Sequence, residues 1–302
     1  MRYWRHYPRF LQLLLLLLMV FTLVSFSQVV AEFLTMKLFG YNLAQVARLD
    51  KNSPPALLQA TKLVQAIGNT FFFLGSALLF AYLTHPQPGR YLGLRPVRNK
   101  RHFLVVPLLM LSASLVLLQL GAWCEYLPFP KDIVDAHRVN MEKTSLLLQM
   151  KQPGDLLINL LIMALIPAIG EELMFRGLIM RFAYNSSRNM TAAIVISAII
   201  FGLAHADTYS LLPIILAGVL LGYIYYLTGS IWFSILAHFL HNALQVVVLY
   251  FEHQLPDIDA RNMALILFLC ALTIAAACFT WLRRGATPLP PGWSNDFEEQ
   301  AA

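Results

Sequence analysis

Long apolar runs separated by short polar connections dominate this chain from end to end. An α-helix needs roughly 20 such residues to cross a bilayer. The pattern predicts helices over residues 10–33, 60–84, 103–125, 155–182, 190–206, 209–228, 230–252 and 261–283. The expected fold is therefore all-α, a polytopic membrane protein of about eight transmembrane helices. One membrane domain is expected over residues 1–284, with the chemistry concentrated in 155–252. The polar, mixed-charge connection 128–154 lies outside the apolar runs, and Asp132 to Met150 has the character of an amphipathic surface helix. The tail 285–302 carries Pro288, Pro290 and Pro291, then Asp296, Glu298 and Glu299. With no apolar run of its own, it is expected to be disordered. Residues 1–31 also allow a reading as a signal peptide, with a basic start, the Leu13 to Leu18 run and the small Ala31. The apolar stretch is long for a leader, and its removal would leave an odd number of spans.

Composition sharpens the class. Of 302 residues, 58% are hydrophobic and 13% charged, too apolar for an ordinary soluble domain of this size. The net charge of +6 is not a nucleic-acid footprint, because the cations sit mostly in short loops. Arg2, Arg5 and Arg9 precede the first helix; Arg90, Arg95, Arg98, Lys100 and Arg101 fill the loop 85–102; Arg181 and Arg188 flank the turn after the fourth; Arg283 and Arg284 follow the eighth. With eight spans all four segments fall on one face, and the positive-inside rule makes that face, and both termini, cytoplasmic. The opposite connections are more balanced, and 252–260 is acidic, with Glu252, Asp257 and Asp259. Short loops of this kind suit a bacterial inner membrane. Aromatics at span ends, among them Trp4, Tyr82, Trp123, Tyr250 and Trp281, fit an interfacial belt. Cys124, Cys270 and Cys278 form no CxxC and no disulfide framework.

Three polar islands interrupt the later apolar runs. Gly170-Glu171-Glu172-Leu173-Met174-Phe175-Arg176-Gly177 places two carboxylates and an arginine after the run Leu156 to Ile169. His205 follows Phe201-Gly202-Leu203-Ala204, and His238, His241 and Asn242 share the seventh predicted helix. A charge at bilayer depth costs at least ~2.5–3.5 kcal/mol, so such groups pair with one another or do chemistry. Glu171 and Glu172 point about 100° apart on a helix. Glu172 and Arg176 are i,i+4 and share a face, which assigns them to architecture and leaves Glu171 the freer carboxylate. His238 and Asn242 are also i,i+4; His241 partly shares their face. Asp207 either orients His205 or begins the next turn. Singly, each island also reads as packing or interhelical glue. Jointly they offer a general base (Glu171), a histidine that helps hold water (His205) and two donors for an oxyanion (His238, Asn242). Glu171, His205 and His238 also make a plausible zinc set with an open position.

The ordered triplet Glu-Glu-x-x-x-Arg at 171–176, Phe-x-x-x-His at 201–205 and His-x-x-x-Asn at 238–242 resembles the three motifs of the CPBP family. That family includes the type II CAAX prenyl endopeptidases and bacterial proteins of bacteriocin processing or immunity. The resemblance covers roughly residues 155–250. It implies an eight-helix membrane fold, endopeptidase activity on a membrane-associated or prenylated peptide or protein, and membrane lipid as surroundings. It implies a water-activating pair at Glu171 and His205 and an oxyanion pair at His238 and Asn242. No cofactor is expected under a glutamate-and-water mechanism; one divalent metal, zinc, is the alternative. A non-enzymatic immunity or scaffold protein and a proton-coupled transporter are the competing functions. Polar sites confined to the second half argue against the transporter, for which matching broken helices in two halves are expected.

Overall fold

The structure, a computed structural model, describes residues 3–150, 152–251, 260–290 and 292–294. It is all-α, with no strand among the described residues. The principal helices are α1 (Arg9–Phe39), α2 (Pro55–Thr84), α3 (His102–Trp123), α4 (Lys131–Leu147), α5 (Pro153–Ser187), α6 (Met190–Ala204), α7 (Leu211–Thr228), α8 (Ile231–Phe251) and α9 (Ala260–Arg284). Seven of these are long and apolar enough to cross a membrane, and α6 is apolar but shorter. All eight predicted spans are thus helices. The surface helix expected between residues 132 and 150 is α4. The acidic 252–260 loop lies, but for its last residue, outside the described residues.

Apolar side chains cover the outside as well as the inside, as a lipid-facing bundle requires; Leu17, Phe21, Phe33, Leu104 and Ile266 are exposed. Packing between helices therefore rests on close approach and polar pairing rather than on exclusion from water. The α6–α7 contact shows this. Gly218 and Gly222 stand four apart on α7, and a Cβ on Gly218 would lie 3.0 Å from the Ala198 Cβ, on Gly222 2.8 Å from Ile194 Cγ2. Only a glycine pair lets these two backbones come so close.

Three stretches depart from α-geometry: Thr70–Gly75 in α2, and Leu160–Leu165 and Leu173–Ile179 in α5, are π-helical. Such bulges frequently mark functional sites, because they re-aim side chains on either flank. The third begins directly after Glu172.

The first helix is part of the core. Leu16 and Met19 pack with Phe73 and Phe80 of α2, and the Arg9 guanidinium donates to the Asn185 carbonyl at 2.7 Å.

The tail corrects an expectation. Residues 285–290 and 292–294 are not loose but fold back under the bundle. Thr287 N–H donates to the Leu227 carbonyl at 2.8 Å and Leu289 N–H to that of Tyr226 at 3.0 Å. Trp293 is buried against Tyr184 and Tyr225, with Arg181 5.1 Å from its ring. The prolines that argue against a helix are compatible with an extended strap, and a single tryptophan supplies the anchor. Gly229, at φ +66°, makes room for it: a Cβ there would sit 2.5 Å from the Thr287 carbonyl oxygen. Residues 295–302 lie outside the described residues. Trp293→Ala is expected to cost about 3–5 kcal/mol. A thermal midpoint in detergent that does not fall would show that the tail contributes nothing to the fold.

Candidate active site

The polar islands meet because α5, α6 and α8 reach the same depth from different ends. At 1.5 Å per residue α6 is only about 22 Å long. Its start is fixed at Met190 by Asn189, whose side chain caps the Ala192 N–H at 3.0 Å. It stops at Ala204, which leaves His205 level with Glu171.

Glu172 is fully buried, and both of its oxygens are occupied. Oε1 accepts from Arg176 Nη1 at 2.7 Å and from His238 Nδ1 at 2.8 Å; Oε2 accepts from the Ser234 hydroxyl. Arg176 donates its other Nη to the Gly218 carbonyl at 2.9 Å and lies 4.8 Å from the centre of the Phe201 ring. One carboxylate therefore joins α5 to α8, and through its arginine to α7 and α6. The Phe201 ring also meets His205 edge-on at 4.6 Å and His238 at 5.7 Å, and so links the ion pair to both histidines.

Glu171 is buried as well, but its Oε2 has no hydrogen-bond partner. Two imidazole nitrogens face it: His205 Nε2 at 3.9 Å and His238 Nε2 at 3.8 Å. Both rings are oriented from behind. His205 Nδ1 lies 2.8 Å from the Phe201 carbonyl, which can only accept, so Nδ1 carries the proton. The same argument puts a proton on His238 Nδ1, which faces the Glu172 carboxylate. Three groups thus converge on a gap too wide for direct hydrogen bonds and of a size for one bridging water.

A metal fits this arrangement less well. A tetrahedral zinc with bonds of about 2.0–2.1 Å sets its ligand atoms about 3.4 Å apart, against 3.8 and 3.9 Å here. Among the described residues no three His, Cys, Asp or Glu side chains stand in metal-ligating geometry.

A cavity of about 320 Å³ opens above the three groups. Asn242 lines it one turn beyond His238, and Gln65, Asn69, Thr144 and Gln245 give it further hydrogen-bonding groups. All six candidate residues are thus placed in or directly behind one site. His241 is not: its Nδ1 lies 2.8 Å from the Ser114 hydroxyl on α3, and Gln245 holds its Nε2 at 3.2 Å. Asp207 does not orient His205 either. It accepts from His137 Nδ1 at 2.9 Å and from the Tyr209 N–H at 3.2 Å.

That pair clasps α4 over the cavity mouth, with the His137 ring stacked on Tyr209 at 4.1 Å. Ser234, Gln65 and Asn69 escaped the sequence reading. Ser234-x-x-x-His238-x-x-x-Asn242 is a polar stripe at helical spacing and was the available signal; nothing in the sequence points α2 at the site.

Residues 153–244 match the family described as Type II CAAX prenyl endopeptidase Rce1-like. The matched segment runs from α5 into α8 and carries every candidate residue. A curated relative, the Putative membrane peptidase YdiL of Bacillus subtilis (strain 168), is 33% identical over 107 residues, 35% of this chain and 43% of that protein. The matched stretch spans less than half of that relative's length. No solved structure matches the chain.

Two outcomes follow from this geometry. Arg176→Ala leaves the buried Glu172 short of its cation and is expected to cost about 3–5 kcal/mol, read as a lowered detergent thermal midpoint. At Asp207 burial raises the pKa, but hydrogen bonds from His137 and Ser210 outweigh it and hold the carboxyl below its usual value. Its contribution is therefore present above the ordinary carboxylate pKa and lost as pH falls through the lower folded one. Amide-exchange protection of residues 131–147 should be level from pH 7 to 5 and decline only below about pH 4; a decline already complete at pH 5.5 would break the assignment.

Proposed function

We propose that this protein is an intramembrane endopeptidase that hydrolyses a peptide bond of a membrane-associated peptide or protein by glutamate-activated water. The observation that carries the reading is the buried Glu171 oxygen with no partner, faced by two imidazole nitrogens at the floor of a cavity. A purely structural carboxylate at this depth would be satisfied as Glu172 is. The similarity of residues 153–244 to a protease family supports the same class of reaction.

In this mechanism the water sits between Glu171, His205 and His238. Glu171 takes its proton as the oxygen attacks the carbonyl carbon of the scissile bond. The resulting oxyanion is met by the Asn242 amide, with the His238 ring held beside it by Glu172. Collapse breaks the C–N bond, and the proton held by Glu171 passes to the leaving amine. Arg176 and Ser234 touch no reacting atom; they fix Glu172, and Glu172 fixes the His238 ring. A base of this kind contributes about 10²–10⁴-fold, and one oxyanion donor about 10²–10³-fold.

Glu171→Gln is expected to abolish cleavage of membrane-anchored peptides with the thermal midpoint retained, and Asn242→Ala to lower kcat about 100-fold or more. Retained cleavage by Glu171→Gln would remove the mechanism. Activity lost on chelation and restored by zinc would replace it with a metal-assisted one at the same three side chains.

A further inference from the structure

The two ends of the bundle are built differently. At the end that holds the 85–101 loop, the chain is closed beneath the site. The Gly93 carbonyl accepts from the Ile231 N–H at 3.2 Å, the Ser230 hydroxyl donates to the Arg95 carbonyl at 2.8 Å, and residues 285–290 and 292–294 pack Leu289 and Trp293 into the same floor. The cavity instead opens toward the other end. Its wall includes Thr144 on α4 and Leu148 just beyond it, both in the connection between α3 and α5. Ala204 and His205 mark where α6 stops short, and Gln245 and Val246 lie in the last two turns of α8.

The charges separate the two faces in the same sense. The 85–101 loop has five cations, Arg90, Arg95, Arg98, Lys100 and Arg101, and no carboxylate. Arg181, Arg188, Arg283 and Arg284 lie at that same end. The 124–152 connection over the cavity has four cations and four carboxylates. A short cation-rich loop is retained in the cytoplasm, so the closed floor is cytoplasmic and the cavity mouth faces outward.

The cavity lining is mixed, with Phe73, Leu148, Met163 and Val246 standing among its polar groups. Gln65, Asn69, Thr144, Asn242 and Gln245 present amides and a hydroxyl on three helices. Such groups pair with the N–H and C=O of an extended peptide, and each left unpaired against hydrocarbon carries a cost.

We infer that the substrate enters from the extracytoplasmic face, beneath α4, as an extended polypeptide segment held by backbone hydrogen bonds. The substrate half of this inference rests on the proteolytic reading above; the sidedness half does not.

The test labels single cysteines with a membrane-impermeant maleimide in spheroplasts, after Cys124, Cys270 and Cys278 are changed to Ala. Ser145→Cys on α4 should react in intact spheroplasts and Arg98→Cys only after permeabilisation. The reverse pattern, or reaction of both from outside, overturns the inference. Should the cysteine-free chain fail to fold, the wild-type chain gives a second readout in oriented membranes. An impermeant peptide cleaved by detergent-solubilised protein should be hydrolysed by right-side-out vesicles and not by inverted ones, and hydrolysis confined to inverted vesicles overturns the inference. No cleavage in detergent, with Ser145→Cys labelled from outside, retires the proteolytic reading and leaves the orientation standing.

Discussion

A single buried carboxylate organises the centre of this protein. Glu172 draws Arg176, His238 and Ser234 onto its two oxygens, and Arg176 continues to the Gly218 carbonyl and the Phe201 ring. Removing such an ion pair from water is expensive, and it is tolerated only when every lone pair and N–H finds a partner. That condition is met by groups from four different helices. The network therefore works as a register mark: a shift of any one helix by a turn would leave a charge unpaired in an apolar interior. Glu171, next in sequence and about 100° away on the helix, inherits a fixed position without sharing in the network.

The second constraint is length. A 15-residue α6 cannot cross the hydrocarbon core by itself. Its shortness creates the cavity, because the space beyond His205 is left to α2, α8 and the amphipathic α4. The π-helical turn after Glu172 and the glycine pair of α7 serve the same end. One re-aims the side chains of α5, and the other lets α7 bring a backbone carbonyl within reach of Arg176. The floor is closed by two segments without long helices, 85–101 and 285–290, whose backbone groups pair with the ends of α7 and α8. A closed floor and an open mouth make the site one-sided.

Much of this was legible in the chain. Apolar run length determined the spans, since backbone pairing in hydrocarbon leaves a helix as the local solution whatever its neighbours do. The i,i+4 spacings of Glu172 with Arg176 and of His238 with Asn242 determined which groups share a face. The order of the three motifs named the family segment that the comparison at 153–244 bears out.

What the sequence by itself determined is therefore local: which segments are helices, and which polar side chains ride together on them. Tertiary structure alone decided the rest. It turned His241 to Ser114 and away from the site, tied Asp207 to His137 instead of His205, and brought Gln65 and Asn69 of α2 to the cavity. It also seated Trp293 in a core that the tail's composition disclaims. The physical reason is the same in each case. A helix fixes its own hydrogen bonds within four residues, but the partner of a side chain is set by the rotation and depth of a different helix. Those are chosen by packing and charge pairing across the whole bundle, and no stretch of sequence records them.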